Sequence, residues 1–156
     1  MHEHDSIFEQ IVDRGHERLC FHHDNETGLK AIVAIHSTAL GNALGGTRRW
    51  YYECEEDAIF DVLRLSKGMT YKSALADTGF GGGKSVIIAK PEDKTPELFK
   101  AFGKFVDSLG GEYICAEDVN TSPTDMEIVH SVTPHVLGLD GAGGDPSPLT
   151  ALGVGE

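Results

Sequence analysis

Three short, uninterrupted apolar runs, at residues 31–35 (AIVAI), 86–89 (VIIA) and 113–116 (YICA), alternate along the chain with amphipathic stripes. Runs this short without polar alternation read as strands buried on both faces. Arg18 to His22 reads as a further, weaker strand. Between them, Ala58, Val62, Leu65 and Met69 fall on one face of a helix, and Leu98, Phe102, Phe105 and Leu109 repeat the spacing. The second stripe starts at Thr95-Pro96, with proline at the first helical position, and stops near Gly110-Gly111. A third helix opens at Ser122-Pro123-Thr124-Asp125, a cap with an acidic residue three positions on. Strands separated by helices predict an α/β fold: a three-layer α/β/α arrangement around a mostly parallel sheet.

The length of 156 residues fits one domain. A net charge of −12 argues against a nucleic-acid surface, which needs clustered Lys and Arg. Cys20, Cys54 and Cys115 are odd in number and form no CxxC pair, as expected in a reducing compartment. The first five residues lack the basic start and apolar run of a secretion signal, and no apolar stretch reaches bilayer length, so no membrane association is expected and the protein is expected to be cytoplasmic. From Gly138 the composition turns to Gly, Asp and Pro, and Leu149 onward resembles the opening of a helix with nothing after it. The expected organisation is one domain over residues 1–148, with 149–156 starting a connection to something absent.

Several motifs are decoys. Gly83-Lys84-Ser85 lacks the glycine five residues earlier that a phosphate loop needs, since Thr78 stands there, and a strand rather than a helix follows. A G-x-G-x-x-G reading fails at Gly79, because Lys84 takes the third glycine's place, and at Gly141, because Pro146 does. His22 and His23 are adjacent on a strand and point to opposite faces, so they are poorly placed to share an ion, and no metal site is expected.

Four segments concentrate chemistry: Leu44-Gly45-Gly46-Thr47-Arg48, Lys67-Gly68-Met69-Thr70-Tyr71-Lys72, Gly81-Gly82-Gly83-Lys84 and Ala116-Glu117-Asp118-Val119-Asn120. Taken singly, Lys72 reads as a solvated charge near a helix end, Lys84 as a lysine on a surface loop and Asp118 as a cap. Together they join a glycine segment that admits close backbone approach, a lysine at its end and a carboxylate at a strand end, where ligands of open α/β sheets gather.

On these motifs, with Gly28-Leu29-Lys30-Ala31-Ile32 and Leu63-Arg64-Leu65, the chain resembles the N-terminal, substrate-binding and oligomerisation domain of the NAD-dependent glutamate/leucine/phenylalanine/valine dehydrogenases. The likeness runs from about Phe8 to the last residue and is strongest to the leucine, phenylalanine and tryptophan branch. It implies reversible oxidative deamination of a branched-chain or aromatic L-amino acid to its 2-oxo acid and ammonia. It implies NAD as cofactor, bound by a C-terminal Rossmann domain absent here, and a homo-oligomer assembled through this domain. By position, Lys72 would bind the substrate α-carboxylate, helped by backbone amides around Gly45 and Gly46 with Met69 nearby. Lys84 would be the general base, and Asp118 would bond to substrate amine or water and shuttle protons. Leu44 stands where glutamate-specific relatives carry lysine, and Ala116 occupies another pocket position, so the pocket is expected to be apolar and to disfavour glutamate.

A lysine base must be neutral part of the time, and a free lysine titrates near pKa ~10.4. The expectation is that a second ammonium ~6 Å away, that of Lys72, lowers Lys84 at an effective dielectric of about 20, with desolvation supplying the rest. Two positions depart from the family pattern. Asn42 stands where relatives usually carry proline, and Gly79-Phe80 where Asn-Leu is usual. Without a cofactor domain the chain alone is expected to be inactive. The alternative is a non-catalytic module of the same fold that binds amino acids or oligomerises.

Overall fold

The computed structural model describes residues 6–139. The segment expected to begin a connection, residues 149–156, and most of the Gly/Pro-rich stretch before it lie outside the described residues. Along the chain come α1 (Ile7–Arg14), β1 (Arg18–Asp24), β2 (Leu29–Ser37), β3 (Ala43–Trp50), α2 (Glu55–Ala76), β4 (Gly81–Ile88), α3 (Pro96–Asp107), β5 (Tyr113–Glu117) and α4 (Pro123–His130).

The sheet has the order β1-β2-β4-β3-β5. Pairing is antiparallel for β1 with β2 and for β2 with β4, and parallel for β3 with both β4 and β5. Four of the five strands therefore share a direction, and β2 alone runs against them. The crossover through α2 moves from β3 back to its neighbour β4, whereas that through α3 moves the other way, from β4 across β3 to β5. Right-handed crossovers in opposite directions place their helices on opposite faces, which produces the three layers.

Side-chain alternation shows the layers in the core. Ala31, Val33 and Ile35 of β2 join Ile87, Tyr113, Leu98, Phe99 and Phe102 beneath α3 and α4. Ile32, Ala34 and Val86 instead join Ala58, Ile59, Val62 and Leu63 beneath α2. The anticipated strands are all present, and so are the three helices. Thr95 caps α3 by accepting from Leu98 N–H, with Pro96 in the first turn. Ser122 and Asp125 form the capping box of α4.

The Lys84 segment, read as a loop, is part of a strand, and so is Leu44 to Arg48, for which no strand was anticipated. β4 begins at Gly81, so the three glycines and Lys84 lie inside it. Leu44 to Arg48 belongs to β3, which sits between β4 and β5. The glycines are required there by contact. A Cβ at Gly82 would lie 2.2 Å from Thr70 N, so α2 rides directly on β4 at this point. A Cβ at Gly45 would lie 1.6 Å from Gly83 O.

Candidate active site

Alternation decides which side chains share a face. On β4, Val86 packs under α2, so Lys84 and Gly82 point to the same side. On β3 that side carries Leu44, Gly46 and Arg48. On β5 it carries Ala116, with Asp118 just beyond the strand end. Pairing places Gly46 beside Ala116. Between the pairs Leu44/Gly82 and Thr47/Ser85, it also places Gly46 opposite Lys84. A row Lys84, Gly46, Ala116 thus crosses the three parallel strands. Leu44 lies two residues before Gly46 on one side of that row, and Arg48 two residues after it on the other.

Gly46 is the gap in this row. With no side chain there, Lys84 reaches over β3, and its Nζ lies 2.7 Å from Asp118 Oδ2. The pair is close, although its angle departs from that of a directional hydrogen bond. Lys84 is buried and Asp118 partly so. Burial pushes the Lys84 ammonium below the ordinary lysine value; Asp118 opposes this, Arg48 adds to it and Asp61 opposes it. Burial works to raise the Asp118 carboxyl, but Lys84 first, then the Val119 N–H and Arg48, hold it below the ordinary range. The expectation that a facing lysine tunes Lys84 therefore takes another form. Burial is the first cause, and Arg48 supplies a cation that lowers it. Lys72 is exposed on α2.

Lys72 and half-buried Met69 are three residues apart on α2, neighbours on one helix face over the same side of the sheet. Thr70, between them, is the crossing point on Gly82. Its hydroxyl lies 2.8 Å from His36 Nδ1, and His36 Nε2 lies 2.8 Å from Arg14 O. A carbonyl only accepts, so His36 carries its proton on Nε2 and accepts from Thr70 at Nδ1. The residues proposed for the carboxylate are thereby tied to the end of α1.

Gly45 is held from the opposite face. The Tyr113 hydroxyl, fully buried, donates to Gly45 O at 2.7 Å and lies 2.8 Å from Ser85 Oγ, which donates to Thr47 Oγ1. Asp118 is held by its own loop. Its N–H donates to Thr121 Oγ1, which donates to Thr47 O at 2.8 Å, and Asn120 Nδ2 donates to Arg49 O at 3.0 Å.

All eight residues singled out from the sequence lie on or around this face: Leu44, Gly45, Gly46, Met69, Lys72, Lys84, Ala116 and Asp118. Arg48, Asp61, Thr121 and Tyr113 had been given no role. Recognising β3 as a strand would have placed Arg48 on Gly46's face, two residues on.

The model of the Glu/Leu/Phe/Val dehydrogenase dimerisation domain matches residues 16–135. The chain belongs to this family. It is 53% identical over 152 residues to a leucine dehydrogenase of Bacillus subtilis (strain 168), covering 95% of this chain and 42% of that protein. It is 54% identical over 151 residues to a phenylalanine dehydrogenase of Caldalkalibacillus thermarum (strain TA2.A1), covering 94% and 40%. Among solved structures it resembles L-tryptophan dehydrogenase from Nostoc punctiforme, with a TM-score of 0.82 and 50% identity over 84% of this chain and 39% of that one. The chain thus spans about two fifths of the length of these relatives. No helix among the described residues is long and apolar enough to cross a membrane.

Proposed function

We propose that this chain is the substrate-holding and proton-transferring part of an NAD-dependent L-amino-acid dehydrogenase acting on an apolar amino acid. The observation that carries the reading is the buried Lys84, lowered in pKa and held 2.7 Å from Asp118 across Gly46.

The chain offers no cradle for a dinucleotide among its described residues, since its glycine runs lie inside β3 and β4 and neither opens a helix. NAD, the hydride acceptor, belongs on a separate dinucleotide-binding domain. To this chain's own residues we assign the following parts. Lys72 and backbone amides around Gly45 and Gly46 grip the α-carboxylate, with Met69 beside them. Leu44 and Ala116 flank the substrate side chain and present no charge to a glutamate carboxylate, whose unpaired burial is costly. Asp118 accepts a hydrogen bond from the substrate amine, orienting Cα. After Cα has lost hydride, water adds to the iminium carbon while neutral Lys84 takes one of its protons. Protonated Lys84 then gives its proton to the amine nitrogen, which ionised Asp118 holds in place; the C–N bond breaks and ammonia departs as the carbinol oxygen forms the carbonyl and its hydroxyl proton passes back to Lys84, leaving the 2-oxo acid.

Relatives named for leucine, phenylalanine and tryptophan match at similar identity, which supports an apolar substrate rather than one particular side chain. The matched model is of a dimerisation domain, which supports a homo-oligomer assembled through these residues.

The test is NAD reduction by a dehydrogenase carrying this domain together with a dinucleotide-binding one, assayed with L-leucine, L-valine, L-phenylalanine, L-tryptophan and L-glutamate. Turnover of apolar amino acids and little of glutamate is expected, and Lys84→Ala should lower kcat by about 10²–10⁴-fold or more with the fold intact. Near-normal kcat in that variant refutes the base assignment. No turnover by the unsubstituted enzyme would leave the module that only binds or oligomerises.

A further inference from the structure

We propose that Arg48 is the positioning residue of the Lys84/Asp118 pair: its guanidinium holds the carboxylate oxygen that Lys84 also contacts, and so keeps Asp118 in place and ionised while Lys84 is neutral. The inference rests on Lys84 being the base of the proposed reaction.

The geometry is specific to one oxygen. Arg48 Nε lies 3.4 Å from Asp118 Oδ2, the atom that Lys84 Nζ approaches to 2.7 Å. The far end of the guanidinium is fixed separately, with Nη1 3.2 Å from Asp61 Oδ2. Asp61 is itself immobilised, receiving the Tyr52 hydroxyl at 2.6 Å and Arg64 Nη2 at 2.7 Å. Arg48 therefore spans from α2 to the end of β5, hydrogen-bonded to Asp61 at one end and in charge contact without a hydrogen bond to Asp118 at the other, with most of its side chain out of solvent.

A base that shares an ion pair with its helper carboxylate has a built-in difficulty. Each time Lys84 gives up its proton, a partly buried carboxylate loses its nearest cation, and an unpaired buried charge either takes up a proton or turns away toward water. Either response would leave Asp118 unable to accept from the substrate amine. Arginine does not deprotonate in proteins, so Arg48 remains a cation on Oδ2 through the whole proton cycle. Its field also disfavours the ammonium form of Lys84 and thus acts in the direction a base requires. The charged and titratable groups around the pair are Arg48 from β3, Tyr52 after it, Asp61, Arg64 and exposed Lys72 from α2, and Tyr113, Cys115 and Glu117 from β5. Burial holds the Tyr113 hydroxyl well above its ordinary value and pushes the Cys115 thiol up to about 12, so both stay neutral.

The signs of two substitutions separate this role from a merely structural one. Arg48→Gln removes a cation beside Lys84 and should raise its titration midpoint by ~1 unit or more. Asp61→Asn removes an anion and should lower it. Arg48→Lys, which keeps a charge at the position, should stay close to the unsubstituted midpoint. The readouts are the Lys84 Cε and Asp118 Cγ resonances followed against pH by ¹³C NMR on this chain of 156 residues. The unsubstituted Asp118 resonance should stay that of a carboxylate through the Lys84 transition, while in Arg48→Gln it should move with it. If Arg48→Gln and Asp61→Asn shift Lys84 in the same direction, or Arg48→Gln shifts neither resonance, the proposal is overturned. In the two-domain enzyme the acid limb of kcat/KM should move with the Lys84 midpoint. Opposite NMR shifts without dehydrogenase activity would leave the hold of Arg48 on the pair standing and sink the dehydrogenase reading instead.

Discussion

A methyl group at position 46 would lie 2.7 Å from Asp118 Cβ and 2.9 Å from Glu117 O. Neither neighbour is the free end of a flexible chain, so Gly46→Ala has to push Asp118 away from Lys84. We expect kcat/KM to fall at least about 10²-fold while stability drops by about 1–3 kcal/mol, the usual scale of overpacking; steady-state kinetics beside a thermal midpoint would show the disproportion. An activity loss no larger than the stability loss explains would contradict the idea that Gly46 is the gap over which the pair forms. At this scale the sequence was legible where a residue's type announces its chemistry: Lys84, Lys72 and Asp118 were named from their motifs. Arg48 was not, because in Thr47-Arg48-Arg49-Trp50 it resembles any solvated charge. Its carboxylates at Asp61 and Asp118 come from different elements and meet it only in three dimensions. The same blindness led to Lys72 as the expected tuning charge, since two lysines in motifs are visible in a sequence whereas burial is not.

Elements place these groups, and the loop from β5 to α4 carries the heaviest demand. Asp118 N–H, Thr47 O and the Asp118 carbonyl all converge on the Thr121 hydroxyl, and Asn120 adopts a left-handed backbone with φ of 63°. Thr121→Val keeps the shape and removes the hydroxyl, leaving Asp118 N–H and Thr47 O unpaired. It should cost about 1–3 kcal/mol and weaken catalysis roughly tenfold or more through a displaced Asp118. Thr95→Ala, at the start of α3 on the opposite face, should cost about 1 kcal/mol with kinetics unchanged. Equal kinetic effects from the two would show that general destabilisation, not placement of Asp118, is being measured. Element legibility followed hydrophobic pattern. β2 and the apolar ends of β4 and β5 were readable as runs. β3, with sequence ALGGTRRW, has neither alternation nor an apolar run, and paired glycines are poor strand formers. It is a strand because β4 and β5 hydrogen-bond to it from both sides. The short α1 went unread although Ser6 and Glu9 form a capping box, a signal present in the letters themselves.

For the molecule as a whole, the seam between α1 and α2 sets an acid limit on stability. His16 Nε2 lies 2.9 Å from Leu63 O and 2.8 Å from Ser66 Oγ, so it donates to the carbonyl, while Nδ1 is buried with no hydrogen-bond partner among the described residues. Protonation would put a second donor there with no described residue to receive it, beside the His36 ring at 4.6 Å and near Arg14 and Lys67. Burial first, then these charges, lower the His16 pKa from 6.5 to about 4. The unfolded chain therefore binds this proton at a higher pH than the native one. Stability contributed by neutral His16 is full above pH ~6.5, falls as the pH drops from there toward 4, and falls no further below that. The loss is on the order of 3 kcal/mol. Asp61 and Asp118, whose carboxyls are held low, lose their share only in more acidic solution. Urea unfolding at intervals from pH 7 to 4 should show this slope, and His16→Phe should start less stable at pH 7 and lose less on acidification. An unchanged slope in that variant would assign the acid limit elsewhere. The consequence reaches the site through His36, which shares the seam with His16 and holds Thr70 where α2 crosses Gly82. Acid that loosens the seam loosens the turn bearing Met69 and Lys72, so affinity for the substrate carboxylate should weaken before the sheet carrying Lys84 and Asp118 unfolds.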